Sequence, residues 1–155
     1  MISFTVPGIP VPQGRPRVTR TGHAYYDEKT KEYREKVKQC AEMAMENEKP
    51  LEGALALFVD CVMPIPASWP SYRKQAAVSG KWHIQRADTD NLVKSVADSC
   101  NGIIYEDDSQ LSVVIGTKSY GSVPEAKVSV YPLNEVNSPR WLIANLKRNL
   151  EAGAI

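Results

Sequence analysis

Apolar and polar side chains alternate at the start of the chain. Ile2, Phe4 and Val6 share one side and Ser3 and Thr5 the other, which predicts a half-buried strand over about residues 2–6. Pro7, Pro10, Pro12 and Pro16 then punctuate a segment that cannot lie inside a sheet or a helix and is expected to be extended and stiff. From Asp27 to about Glu48 the period lengthens to that of a helix, with Tyr33, Val37, Cys40, Ala41, Ala44 and Met45 set between charged residues and Pro50 marking the end. Leu55 to Met63 is nearly continuously apolar and rich in branched residues, so it reads as a central strand covered on both faces. Pro64, Pro66 and Pro70 break the chain, and a short helix is expected over Tyr72 to Val78, stopped by Gly80. A further helix is predicted over Asn91 to Asn101, with a stripe of Leu92, Val93, Val96, Ala97 and Cys100, an N-cap at Asp90 and a stop at Asn101-Gly102. Leu111–Lys118 and Ala126–Tyr131 alternate as two strands joined by the turn-prone Gly121-Ser122-Val123-Pro124. Pro139 to about Glu151 is amphipathic, with Trp141, Leu142, Leu146 and Leu150 on one side. The sum is one α/β domain with a mixed sheet packed against helices. Residues 1–132 form its body, and residues 133–155 are a helical extension of the same domain.

Composition changes this picture little. A chain of 155 residues is near the commonest size for a single core, and 43% hydrophobic with 24% charged residues is ordinary for a globular protein. No apolar run is long enough to span a bilayer, and the first residues lack the charged start and apolar core of a signal peptide. A cytoplasmic location is expected, with no membrane partner. Cys40, Cys61 and Cys100 form no Cys-x-x-Cys pair, and His23 and His83 are the only histidines, so neither a disulfide framework nor a zinc site is expected. The formal net charge of +1 excludes nothing, but its distribution is uneven. Arg15, Arg17, Arg20, Lys29, Lys31, Arg34, Lys36 and Lys38 crowd the first quarter, whereas Asp88, Asp90, Asp98, Glu106, Asp107 and Asp108 crowd the middle. A basic arm beside an acidic cluster suits an enzyme that holds a polyanion and cuts it with a metal; it also suits a protein that balances its own charges.

The informative stretches are Arg86-Ala87-Asp88-Thr89-Asp90-Asn91-Leu92-Val93-Lys94 and Tyr105-Glu106-Asp107-Asp108-Ser109-Gln110. If Asp88 and Asp90 lie on an extended segment entering the helix, both carboxylates face one side. Lys94 falls one turn beyond Asp90. A helix of roughly ten residues is about 15 Å long, and a reversal at Gly102 would carry Asp107 and Asp108 back toward the first pair. Converging carboxylates repel unless a cation lies between them, and oxygen donors without histidine or cysteine suit Mg²⁺ or Mn²⁺. Two such ions about 3.5–4 Å apart can activate a water and stabilise the leaving oxygen of a phosphodiester. Each signal has a bland reading when taken singly: Asp90 as a helix cap, Glu106-Asp107-Asp108 as a solvated turn, Lys94 as a surface lysine paired with Asp98.

Their order and spacing point further. Asp-x-Asp-Asn-Leu, then lysine, a helix and Asp-Asp-Ser-Gln resembles the RusA family of Holliday junction resolvases, as does a first strand followed by Pro10-Val11-Pro12-Gln13-Gly14-Arg15-Pro16-Arg17. The resemblance extends from about residue 2 to residue 131. It implies that Asp88, Asp90 and Asp108 are metal-binding catalytic carboxylates, that Lys94 is the catalytic lysine, and that Asp107 is an acidic neighbour able to assist. It also implies a homodimer that uses Mg²⁺, with Mn²⁺ able to substitute, to make paired symmetric nicks in four-way junctions during DNA recombination and repair. The residue before the first aspartate, often proline in that family, is Ala87 here. A twofold dimer matches the near-twofold symmetry of two cuts in one junction.

Arg15, Arg17 and Arg20, on a proline- and glycine-rich arm, are the expected phosphate contacts, and Arg86 is placed to steady either a carboxylate or the scissile phosphate. Lys81 and Lys118 are weaker candidates for the same role. Tyr25 and Tyr26 are read as core before base-stacking residues, Trp69, Trp82 and Trp141 as packing residues, and His83 as structural. Two other readings keep the same residues: a nuclease for flaps or forks, and a non-catalytic protein that binds branched DNA with acids that only cap and stabilise. Replacing Arg15 and Arg17 together by alanine is expected to weaken junction binding and to flatten its salt dependence by about two in log–log slope. Titrations at several salt concentrations check this, and an unchanged slope would remove the arm from the phosphate contacts.

Overall fold

In chain order the elements are β1 (Ile2–Pro7), the short strands β2 (Arg17–Val18) and β3 (Ala24–Tyr25), α1 (Glu28–Met45), β4 (Leu55–Pro64), α2 (Ser71–Val78), α3 (Thr89–Cys100), a 3₁₀ turn (Asp108–Gln110), β5 (Leu111–Gly121), β6 (Glu125–Pro132) and α4 (Pro139–Glu151). The structure, a computed structural model, describes residues 1–14, 17–18, 20–22, 24–79, 82–133 and 139–151. Arg15, Gly80, Lys81 and His23 lie outside the described residues, as do the side chains of Arg17, Tyr25, Trp141, Leu142 and Leu146.

The α/β reading holds, with one mixed sheet in the order β1-β6-β4-β5. β6 runs antiparallel to both β1 and β4, while β4 and β5 are parallel. The two C-terminal strands are therefore consecutive but not neighbours. The expected turn at 121–124 exists, yet it steps across the end of β4, whose Val62 pairs with Glu125 and whose Pro64 pairs with Gly121. A parallel β4–β5 pair needs a long crossover, and the segment carrying α2 and α3 supplies it.

Leu55, Leu57, Val59, Cys61 and Met63 of β4 join Val6, Ala126, Val128 and Val130 on one buried face of the sheet. Tyr33, Val37, Ala41 and Met45 of α1 and Leu92, Val93, Val96, Ala97 and Cys100 of α3 cover that face. Asp27 caps α1 by accepting from the Thr30 amide at 2.9 Å, and a left-handed Glu46 ends it just ahead of Pro50. Contrary to expectation, β4 is central but not covered on both faces. Phe58, Asp60 and Val62 alternate with the buried residues and are only half-buried. Phe58 instead packs within the sheet, edge-on to Tyr131 with ring centroids 5.5 Å apart. Ile143 and Leu150 of α4 are exposed, and among the described residues no helix is long and apolar enough to cross a membrane.

β5 is the outer strand, and Gly116 lies in its interior facing α3. A Cβ there would collide with Val93 Cγ2 and stand 3.1 Å from Thr89 Cγ2, so the missing side chain lets the first turns of α3 rest on the sheet. Gly116→Ala is expected to destabilise the fold by about 1–3 kcal/mol, the usual effect of overpacking. Urea unfolding checks this, and an unchanged midpoint would show that α3 does not depend on that close approach.

Candidate active site

The helix carrying the Asp-x-Asp motif starts earlier than its sequence pattern predicts. Asp88 is the N-cap of α3, and Asp90 lies in the first turn. The two residues therefore do not alternate along an extended segment; one stands outside the helix and the other within it. Ala87 precedes the N-cap. Its φ of 86° turns the chain through the left-handed region immediately before Asp88, at a cost of about 1–3 kcal/mol for a residue with a Cβ. The Lys118 ammonium donates to the Ala87 carbonyl at 2.7 Å and to the Gln85 carbonyl at 3.0 Å, which fastens the turn to β5. The Asp88 carbonyl accepts from the Leu92 amide at 3.1 Å, but its exposed carboxylate makes no capping hydrogen bond. Asp90 sits where the helix dipole favours a negative charge.

At the other end of α3 the chain reverses at Gly102, whose φ is 72°. Tyr105 is fully buried and donates its hydroxyl to the Ala97 carbonyl at 2.9 Å, which brings the return segment back along the helix. Burial pushes the Tyr105 phenol far above its ordinary pKa, with help from the nearby Cys100 and Asp108. The Asp-Asp-Ser-Gln motif then divides its work. Asp107 caps the 3₁₀ turn by accepting from the Ser109 amide at 2.9 Å, and Gln110 closes the capping box. The hydrogen bond from Ser109 holds the Asp107 carboxyl below the usual carboxylate range. Gln110 Nε2 also donates to the Leu51 and Gly53 carbonyls at 3.0 and 3.1 Å. Asp107 is thus committed to the turn, while Asp108 is left exposed.

Thr89, Asp90, Val93, Lys94, Ala97, Asp108, Leu111, Val114 and Gly116 line a single cleft of about 430 Å³ between α3 and β5. Apolar residues form its floor, and Asp90, Lys94 and Asp108 supply its charges. Asp88 stands next to the cleft in sequence but is not among the lining residues. The bland pairing of Lys94 with Asp98 does not occur: Asp98 accepts from Gln13 Nε2 at 2.8 Å. Among the described residues, Asp88, Asp90, Lys94 and Asp108 have no hydrogen-bonding side-chain partner and no ion pair. Among the same residues no three acidic, cysteine or histidine side chains converge as a ready-made metal cage. What the cleft itself offers is the pair Asp90 and Asp108, a donor set of hard oxygens that fits Mg²⁺ or Mn²⁺ and not a thiophilic metal.

The proline-rich arm is tied down close by. Gly8 donates its amide to the Pro124 carbonyl at 3.0 Å, and Gln13 donates its amide to the Asn91 carbonyl at 2.8 Å. Arg20 and Arg86 are exposed and form no ion pair with the acids among the described residues. Arg17 pairs through its backbone with Tyr25. Tyr26 is half-buried beneath the Arg34 guanidinium, 5.4 Å from the ring centroid. Trp69 packs on Tyr120 and under Arg73, and His83 is buried against the same tyrosine, its pKa lowered by burial and by Lys118. Trp82 departs from its expected packing role: it bridges to Ser119 at the outer edge of β5 and is 60% exposed.

A cleft lined by two acids and a lysine, at the edge of an α/β sheet, suits a phosphodiester-cleaving enzyme. The family model described as Endodeoxyribonuclease RusA matches residues 7–131. An uncharacterized protein of Bacillus subtilis (strain 168), YqaN, is 32% identical over 136 residues, covering 83% of this chain and 94% of that protein. The chain belongs to the RusA endodeoxyribonuclease family.

Residue patterns alone missed Gly116, Gln13 and the anchoring work of Lys118. A glycine inside an otherwise alternating strand was the available signal for the first. The capping box assigns Asp107 and Asp108 different jobs, and asparagine is as good a cap as aspartate. Asp107→Asn is therefore expected to keep most DNA cleavage, whereas Asp108→Asn lowers it by about two orders of magnitude or more, the scale for losing one charge-stabilising group. Single-turnover rates compare the two, and equal losses would place Asp107 in the chemistry as well.

Proposed function

We propose that the protein is a Mg²⁺-dependent, structure-selective endodeoxyribonuclease that resolves four-way DNA junctions by paired symmetric nicks, with Mn²⁺ able to replace Mg²⁺. The observation that carries the reading is the convergence of Asp90, Lys94 and Asp108 on one cleft while their acidic neighbours Asp98 and Asp107 are used up by the fold. Membership of the RusA family supports the junction as substrate. In this reading Asp88, Asp90 and Asp108 hold the cation. A cation held by these carboxylates would supply charge to neutralise the phosphate and to make a water a stronger nucleophile. Lys94, one helical turn from Asp90, faces the phosphate from the same rim and offsets charge that develops as water adds to phosphorus and the bridging oxygen leaves. Val93, Ala97, Leu111 and Val114 line the rest of the cleft and bring no side-chain donor or acceptor to compete with the acids. Arg15, Arg17, Arg20 and Arg86 grip flanking phosphates, and a twofold homodimer sets two such clefts on opposed strands.

The test is cleavage of a strand-labelled synthetic four-way junction with and without Mg²⁺, alongside flap and fork substrates of the same sequence. Symmetric nicks that need the metal, disappear in Asp90→Asn and become markedly slower in Lys94→Ala are expected, with junction affinity preserved in both variants. Preference for a flap or fork would move the substrate to other branched DNA. Tight junction binding with no cleavage in Mg²⁺ or Mn²⁺ would make the protein a branched-DNA-binding module with structural acids.

A further inference from the structure

One residue that bonds to the approach to α3 is neither acidic nor on the helix. Lys118 sits inside β5, the strand that also supplies Val114 and Gly116 to the cleft. It is half-buried, and its ammonium is spent on two main-chain carbonyls, those of Gln85 and Ala87. Its own carbonyl accepts from the His83 amide at 3.0 Å, and the adjacent Ser119 bridges to Trp82. One residue thus grips the segment 83–87 at both ends. The peptide it holds belongs to Ala87, whose left-handed φ is unfavourable for a residue with a Cβ and needs an external restraint. Asp88 follows directly, and no cap bond or ion pair directs its carboxylate. The backbone alone sets where that group stands.

We propose that Lys118 is a positioning residue of the active site: by clamping the Gln85 and Ala87 carbonyls it holds the left-handed turn that sets Asp88 at the N-cap of α3, next to the cleft-lining Thr89 and Asp90. The inference rests on the proposed nuclease reading for its consequence in cleavage, but not for its geometry. It separates Lys118 from the phosphate-binding cations, because two of its three donors are already taken.

The test uses the full chain and two substitutions. Lys118→Met keeps the length of the stem and removes the donors. Single-turnover cleavage of the four-way junction is expected to fall about 10- to 100-fold, as for loss of an outer-shell partner, with junction affinity and its salt slope, measured without divalent metal, unchanged. Adding Ala87→Gly is expected to recover most of the lost rate, because glycine adopts the left-handed turn without a clamp. Independently of any cleavage, amide exchange at Leu92, whose N–H closes the first turn of α3 on Asp88, should quicken about tenfold in Lys118→Met and slow again in the double variant. A salt slope reduced by about one with weakened binding would make Lys118 a phosphate contact and overturn the proposal. Unchanged Leu92 exchange, or a loss that Ala87→Gly does not recover, would overturn it too. If the unaltered protein cleaves no junction while Leu92 exchange behaves as described, the nuclease reading fails and the positioning role stands.

Discussion

The chain has to double back along α3, and everything at the cleft depends on that return. Asp108 comes 18 positions after Asp90, so the two share a cleft only because the segment between them is folded flat on itself. Gly102 makes the reversal, and Tyr105 secures it. A tyrosine with no exposed surface must satisfy its hydroxyl inside the protein, and the Ala97 carbonyl is the acceptor it finds. The Leu51 amide bonds to the Ile104 carbonyl at 2.7 Å and ties the same return to the loop before β4. These contacts are neutral and buried, so they are indifferent to salt, whereas the acids they bring together repel one another.

Polar side chains divide into those that build the frame and those that are left over. Asp27 caps α1, Asp98 holds the arm through Gln13, Asp107 caps the 3₁₀ turn, and Asp60 accepts from the Thr117 hydroxyl. Asp88, Asp90 and Asp108 do none of this. A group of unengaged carboxylates beside an unengaged lysine adds nothing to stability, and such local inconsistency is expected at functional sites.

The cleft lies at the edge of the sheet. β5 has β4 on one side and, on the other, the bridge between Trp82 and Ser119, so the acids open onto an outer strand and not into an enclosed pocket. A long, stiff polyanion can reach such a site only if nothing overhangs it. Gly116 contributes from below, since a side chain there would lift α3 and widen the gap between Asp90 and β5.

Periodicity made the main elements legible, because a buried face has to repeat every two residues in a strand and every three to four in a helix. The α1, β4, α2, α3 and α4 segments all lie close to where their patterns place them. The return of Asp108 toward Asp90 and Lys94 was likewise readable, from the helix length and the reversal at Gly102. Tertiary structure decided the rest. Strand order placed β4 between β5 and β6, a matter of which edges meet and not of local preference. α3 starts at Thr89, after a left-handed Ala87 whose carbonyl accepts from Lys118, a residue distant in sequence. Asp107 and Asp108, adjacent and chemically identical, are separated in the sequence only by resemblance; the physical difference is the Ser109 amide that Asp107 alone meets. Residue types carry their chemistry locally, but which carboxylate remains free depends on partners that only folding brings within reach.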